Sequence, residues 1–304
     1  MNSYLNVLVE ECRPFTAQGK LAGYIPQLLK ANPGNLGVWM TDGKAESFSG
    51  DHDTAFTIQS IIKPIMLLQA LLDHGIPAVR SKVGVEATGK PFDSINMQAQ
   101  TLSSENMNPM VNMGAIAVCS LIKGSDYDEK FSRVLALTRL LADNPTINVD
   151  REVYLSEKSA GSKNRALGYL LLNYHLIDDN VEDVLDCYFK LCSIRVNCRD
   201  LANIALRLAN HGTDKVTGAR LFPFEYGRFV NAVLMTSGMY DESGDFAIRV
   251  GIPAKSGVGG GIMAVVPNRM GIGIYSPALD KKGNSLAGNA LLERLSRNQN
   301  LSLF

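Results

Sequence analysis

Strand-like runs stand near both ends of this 304-residue chain, and helix-like runs fill most of what lies between. At the first end LGVWMTDG and KAESFSG, residues 36–50, meet at Asp42-Gly43, a dipeptide whose easy positive φ suits a tight hairpin turn. At the other, AIRVGIPAK (247–255), GIMAVVP (261–267) and MGIGIYSP (270–277) are rich in β-branched residues and punctuated by Gly and Pro. LAGNALLERLSR (286–297) then closes as an amphipathic helix. Between these ends the periodicity is helical, first from Ser60 to a stop at Gly75-Ile-Pro77, then over 111–123, 132–142, 164–176, 181–193 and 199–210. This order predicts an α+β fold, an antiparallel sheet flanked by helices with a helical insertion. A doubly wound parallel sheet needs strands alternating regularly with helices, which the long helical middle lacks. The expected division is a discontinuous sheet domain, 1–75 with 230–304, and a helical domain, 76–229.

Thirty basic and thirty acidic side chains cancel, so no net field draws the chain to phosphates, and nucleic acid is not an expected partner. The first residues, MNSYLNVLVEECRPF, lack a basic stretch and are broken by Glu10 and Glu11, unlike a signal peptide. No apolar run reaches the roughly 18 residues that a membrane span needs, so a cytoplasmic protein without a membrane partner is expected. The five cysteines are odd in number and form no C-x-x-C pair, and the four histidines lack H-E-x-x-H spacing. Buried free thiols are expected, and no metal site.

The segment FTIQSIIKPIM (56–66) holds the most informative pair, Ser60 and Lys63. S-x-x-K is weak alone; Ser120-Leu-Ile-Lys123 also fits, but it lies at the far end of a helical run. Ser60 differs because Pro64 is tolerated only in a first turn, which puts Ser60 at a helix entrance. Spacing i, i+3 sets the hydroxyl and the lysine stem on one face, and the helix N-terminus favours a neutral amine and a developing alkoxide. A lysine at its ordinary pKa is protonated at neutral pH, so it serves as a base only if burial or a neighbouring cation lowers that value; Ile61, Ile62 and Ile65 suit burial. The competing reading is a serine N-cap beside a solvated lysine. A second element, Lys255-Ser256-Gly257-Val258-Gly-Gly-Gly261, offers bare backbone N–H groups for an oxyanion, or else only a glycine-rich turn. In NPMVNMGAI (108–116), Asn112 opens a helix and could be an N-cap.

Taken in order, Ser60–Lys63, Asn112 and Lys255-Ser256-Gly257 resemble the motifs of serine β-lactamases and penicillin-binding proteins. The chain is more similar to a relative of these, the serine-dependent glutaminase family. That resemblance runs through GYIPQL (23–28), FTIQSIIK, NPMVNMGAI, SEKSAGSKNRALGY (156–169), MTSGMYDESGDFA (235–247), PAKSGVGGGIMAVVP and GNSLAG (283–288). It implies a β-lactamase-like fold with the active site between the two domains, no cofactor, and a homodimer or homotetramer. The activity it implies is an amidohydrolase converting L-glutamine to L-glutamate and ammonia. Residue by residue, it implies Ser60 as nucleophile, Lys63 as base, backbone N–H groups of Ser60 and Val258 for the oxyanion, and Tyr240 as proton relay. Tyr24, Gln59, Asn112, Glu157, Asn164 and Tyr188 would line the substrate pocket, with Lys255, Ser256 and Gly257 in support. A carboxylate for the substrate's ammonium and neutral donors for its carboxylate suit a zwitterion. Taken singly, Glu157 also reads as a surface helix charge, Tyr188 as a core aromatic and Tyr240 as a turn residue. Two positions depart from the pattern. Ile62 stands where many members carry a small residue, and Met110 stands where β-lactam-recognising enzymes usually carry serine. The rival readings are a penicillin-binding serine hydrolase and a glutamine-binding protein of the same fold without turnover.

Overall fold

The computed structural model describes residues 2–87, 103–104, 107–215 and 217–304. Five strands form one antiparallel sheet: β1 (Gly37–Thr41), β2 (Glu46–Gly50), β5 (Ala254–Ser256), β6 (Gly261–Val266) and β7 (Met270–Tyr275), in the order β2-β1-β7-β6-β5. Two short strands, β3 (Phe56–Thr57) and β4 (Arg195–Val196), pair separately just ahead of Ser60. Among the described residues the helices are α1 (Asn2–Cys12), α2 (Ile62–Arg80), α3 (Asn112–Leu121), α4 (Tyr127–Ala142), α5 (Arg151–Ala160), α6 (Ser162–Asn173), α7 (Val181–Cys192), α8 (Cys198–Ala209), α9 (Phe224–Ser237), α10 (Ser243–Arg249) and α11 (Leu286–Gln299).

Alternation along the strands decides which helices cover which face. Val38, Met40, Ile262, Ala264, Ile272 and Ile274 point into a core shared with α1, α10 and α11. Trp39, Met263, Val265 and Tyr275 point the other way, into the larger core shared with α2, α8 and the helices between. On that second face β7 carries glycine at 271 and 273, and α8 lies almost on its backbone. A Cβ at Gly273 would stand 2.0 Å from the Cys198 carbonyl oxygen. Gly273→Val should therefore push helix from sheet and cost about 3 kcal/mol, the upper end for overpacking. The midpoint of urea unfolding, with an unchanged slope, measures it.

Several elements differ from the sequence reading for physical reasons. Residues 247–249 belong to α10, and strand β5 begins only at Ala254. The β-branched run there has a helical first half because Phe246 and Val250 dock on the core while Ile248 faces solvent. The first hairpin closes through four residues, 42–45, with the Asp42 carboxylate accepting the N–H groups of Lys44 and Ala45. Helix α2 breaks regular geometry at Gly75 as expected, yet a further turn carries it to Arg80. All five cysteines are buried and free.

Candidate active site

The chain enters α2 through a single 3₁₀ turn, Gln59–Ile61. Gln59 there has φ +50°, a left-handed conformation uncommon for a residue with a side chain and one that persists only where the surroundings enforce it. The residue preceding α2 is Ile61 and no side chain caps the helix, so Ser60 is not an N-cap. Lys63 is not solvated either. It is 1% exposed, and its Nζ donates to the Asn112 Oδ1 at 2.7 Å and to the Met110 carbonyl at 3.2 Å.

Asn112 proves to be the first residue of α3 rather than its cap, since Val111 holds the extended cap position without a side-chain bond. Its carboxamide is thereby released to bridge inward. Oδ1 accepts from Lys63, and Nδ2 donates to the Asn164 Oδ1 at 2.9 Å, linking α2, α3 and α6.

Glu157, on α5, is buried and faces this group. Its carboxyl is pushed up to about 7 by burial, against opposing pulls from the Gln59 amide, which donates to it, and from the Lys63 charge. Gln59 Nε2 also donates to the Thr57 Oγ1 at 3.1 Å, which fixes the amide between strand β3 and the carboxylate. Tyr188 and Cys192, one turn apart on α7, hydrogen-bond each other, and burial raises both.

The glycine-rich segment packs against the backbone just before Ser60. A Cβ at Gly257 would lie 2.8 Å from the Ile58 carbonyl oxygen, and one at Gly259 would lie 2.7 Å from that of Thr57, so side chains are excluded at this contact. Gly257 N–H donates to the Gly261 carbonyl and Gly260 N–H to that of Gly257. Among the described residues no backbone carbonyl takes the Val258 N–H. The Val258 side chain packs with Tyr240 and Leu279, and Val258 lines a cavity of about 340 Å³ together with Phe56, Thr57 and Gly259.

Tyr240 opens a 3₁₀ turn after α9 with φ +55°. Its buried hydroxyl reaches Ser60 and Ser256, which pull its pKa down against a larger upward push from burial. Lys255 lies beneath the ring, fully buried.

These elements enclose a cavity of about 260 Å³ with room for a free amino acid. Tyr24, Gln59, Ser60, Asn112, Glu157, Asn164 and Tyr188 line it, Tyr24 at the rim with 56% of its surface exposed. Lys63, Tyr240 and Lys255 are not in the lining, and of the three the Tyr240 hydroxyl bonds Ser60. Residues 160–163 and Cys192 also line the cavity and were not foreseen, although Lys163 and its neighbours lie inside the SEKSAGSKN segment. Among the described residues, no cluster of three or more His, Cys, Asp or Glu could hold a metal ion.

The family model for glutaminases matches residues 19–304, and the glutaminase of Clostridium tetani is 50% identical over 305 residues, covering all of both chains. The chain belongs to the glutaminase family. Glutaminase 2 of Clostridium perfringens is 49% identical over 306 residues, again across the whole of both. Among solved structures, the Bacillus subtilis glutaminase in covalent complex with 5-oxo-L-norleucine is 36% identical with a TM-score of 0.91, covering 100% of this chain and 99% of that one. The α+β architecture with its antiparallel sheet is thus the glutaminase architecture. Membership also makes this chain an enzyme, one that hydrolyses glutamine to glutamate.

Proposed function

We propose that this glutaminase hydrolyses the side-chain amide of L-glutamine through a serine acyl-enzyme. The observation that best supports the reading is the Tyr240 hydroxyl bonded to that of Ser60, with a buried lysine one turn on and the 257–259 backbone packed against residues 57 and 58 just before the serine. Lys63, in its deprotonated form, takes the Ser60 proton as Oγ attacks the amide carbon. The N–H groups of Ser60 and Val258 hold the resulting oxyanion. As the C–N bond breaks, Tyr240 passes a proton to the leaving nitrogen and ammonia departs. Water then enters by the reverse proton route, cleaves the γ-glutamyl ester and frees Ser60 with glutamate. The Bacillus subtilis relative, covalently modified by 6-diazo-5-oxo-L-norleucine, supports a nucleophile in such a site.

Binding follows from charge. Glu157, buried and bonded to Gln59, takes the substrate's ammonium, while Tyr24, Asn112, Asn164 and Tyr188 supply neutral partners to its other polar atoms. Because Glu157 titrates near 7 in the free enzyme, it is ionised above that pH and neutral below it. kcat/KM should fall roughly tenfold per unit below pH 7 as the anion is lost. Glu157→Gln should raise KM about 10- to 100-fold, as expected for losing a charge-assisted bond, and move that acidic limb. Steady-state ammonia release from pH 5 to 9 checks both, and an unchanged profile would place the ammonium elsewhere.

Ser60, Tyr240 and Val258 come from the sheet side of the crevice and Asn112, Glu157, Asn164 and Tyr188 from the helical side, which supports the division into 1–75 with 230–304 and 76–229. Helix α8 falls within the second range and nevertheless packs on the sheet, joining the two. No helix among the described residues is long and apolar enough to cross a membrane. A cytoplasmic homodimer or homotetramer is part of the same proposal, resting on the family resemblance.

A further inference from the structure

Lys255 is a second buried lysine that the acyl-enzyme chemistry does not use. It is 0% exposed, and among the described residues no carboxylate makes an ion pair with it. Its Nζ donates to the Gly238 carbonyl at 3.0 Å and to the Ser256 carbonyl at 2.8 Å, and lies 4.4 Å from the centre of the Tyr240 ring. Gly238 stands two residues before Tyr240, and Ser256 immediately precedes the glycine-rich segment. One amine therefore ties the backbone that carries the phenol to the backbone that carries the Val258 N–H.

We propose that Lys255 is a positioning residue for the departure of ammonia, a brace that holds Tyr240 in its left-handed conformation with the hydroxyl turned to Ser60. The inference rests on the reading of Tyr240 as proton relay.

A left-handed tyrosine persists only if its surroundings hold it, and Lys255 does so from one side, through the Gly238 carbonyl and the face of the ring. On the other side, the Ser243 hydroxyl bonds the Met239 N–H and the Tyr240 carbonyl, fixing the turn but not the ring. Burial, and then the charge of Lys63, drive the Lys255 pKa well below the ordinary lysine range. The brace survives that shift, because two N–H donors for two carbonyls are present in the amine as in the ammonium. Burying a lysine is costly, and a stem of the same length without the nitrogen would serve packing alone. The amine is needed where the angle of the phenol matters, and that is when the leaving nitrogen must be protonated.

The test is dependence on the leaving group. Glutamine expels nitrogen only with a proton, whereas the γ-p-nitrophenyl ester of glutamate expels a stable phenolate without one. Lys255→Met should lower kcat/KM for glutamine about 100-fold, the lower range of a general-acid contribution, and change that for the ester by less than about threefold. In a Tyr240→Phe background, Lys255→Met should add nothing to the loss on glutamine. Circular dichroism establishes that each variant is folded, and Lys255→Gln carries the test if the methionine variant is not. Equal losses on amide and ester, or losses that multiply in the double variant, would overturn the brace. If Tyr240→Phe itself slows both substrates equally, the relay reading fails and the brace with it. If Tyr240→Phe separates the substrates and Lys255→Met does not, only the brace fails.

Discussion

Ser60→Ala should reduce ammonia release from glutamine by about 10⁴-fold or more, a loss in the range found when a nucleophile is removed from a hydrolase site. The size follows from what remains. Without Oγ no ester forms, so the Val258 N–H and Tyr240 can act only on direct attack of water on the amide, without the covalent step that divides the barrier. Binding should survive, because Glu157, Asn164 and Tyr188 lie on the helical side and do not depend on the serine oxygen. The variant should still bind glutamine in calorimetry with a dissociation constant within about tenfold of the wild-type KM, the scale of one lost contact. Stability should change little, since a buried hydroxyl and its partner at Tyr240 exchange about 1 kcal/mol of net hydrogen bonding. Turnover by Ser60→Ala at the wild-type rate would remove the acyl-enzyme.

How much of this was legible in the sequence depends on whether a signal was local. The Ser60 entrance to α2 could be read because Pro64 restricts where a helix can begin, and β6, β7 and α11 because their patterns agree with their burial. Helices α5 and α9 were not foreseen. Only Val153 and Glu157 are buried on α5, so it has almost no apolar stripe, and α9 carries Gly227 and β-branched residues that weaken a helical reading. α1 was masked by Glu10 and Glu11, which turn outward while Leu5, Leu8, Val9 and Cys12 turn in. In the site, spacing brought Ser60 and Lys63 together, but nothing local places Glu157 or Asn164 opposite them. Those came from the family resemblance, and the structure puts them around the same cavity as Ser60. Cys192 shows the limit. A thiol in an apolar helix reads as core, and only the fold reveals that its turn of α7 faces the cavity.

Lys63→Met should lower kcat for glutamine by about 10³- to 10⁴-fold, some 4 to 5.5 kcal/mol of barrier, while leaving the fold intact. Methionine matches the length of the lysine stem and differs in lacking the amine, so the loss reports on the nitrogen rather than on packing. Two effects on stability oppose each other. The Asn112 Oδ1 and the Met110 carbonyl lose a donor, at about 1 to 3 kcal/mol each if they stay unpaired. Against this, a lysine that is 1% exposed no longer has to be desolvated, and burial of a polar group costs about 1 to 3 kcal/mol even when it is neutral. The net change in unfolding free energy should stay within about 2 kcal/mol, far smaller than the loss in rate. A lysine kept for stability would show the reverse, a large drop in the unfolding midpoint with activity per folded molecule retained.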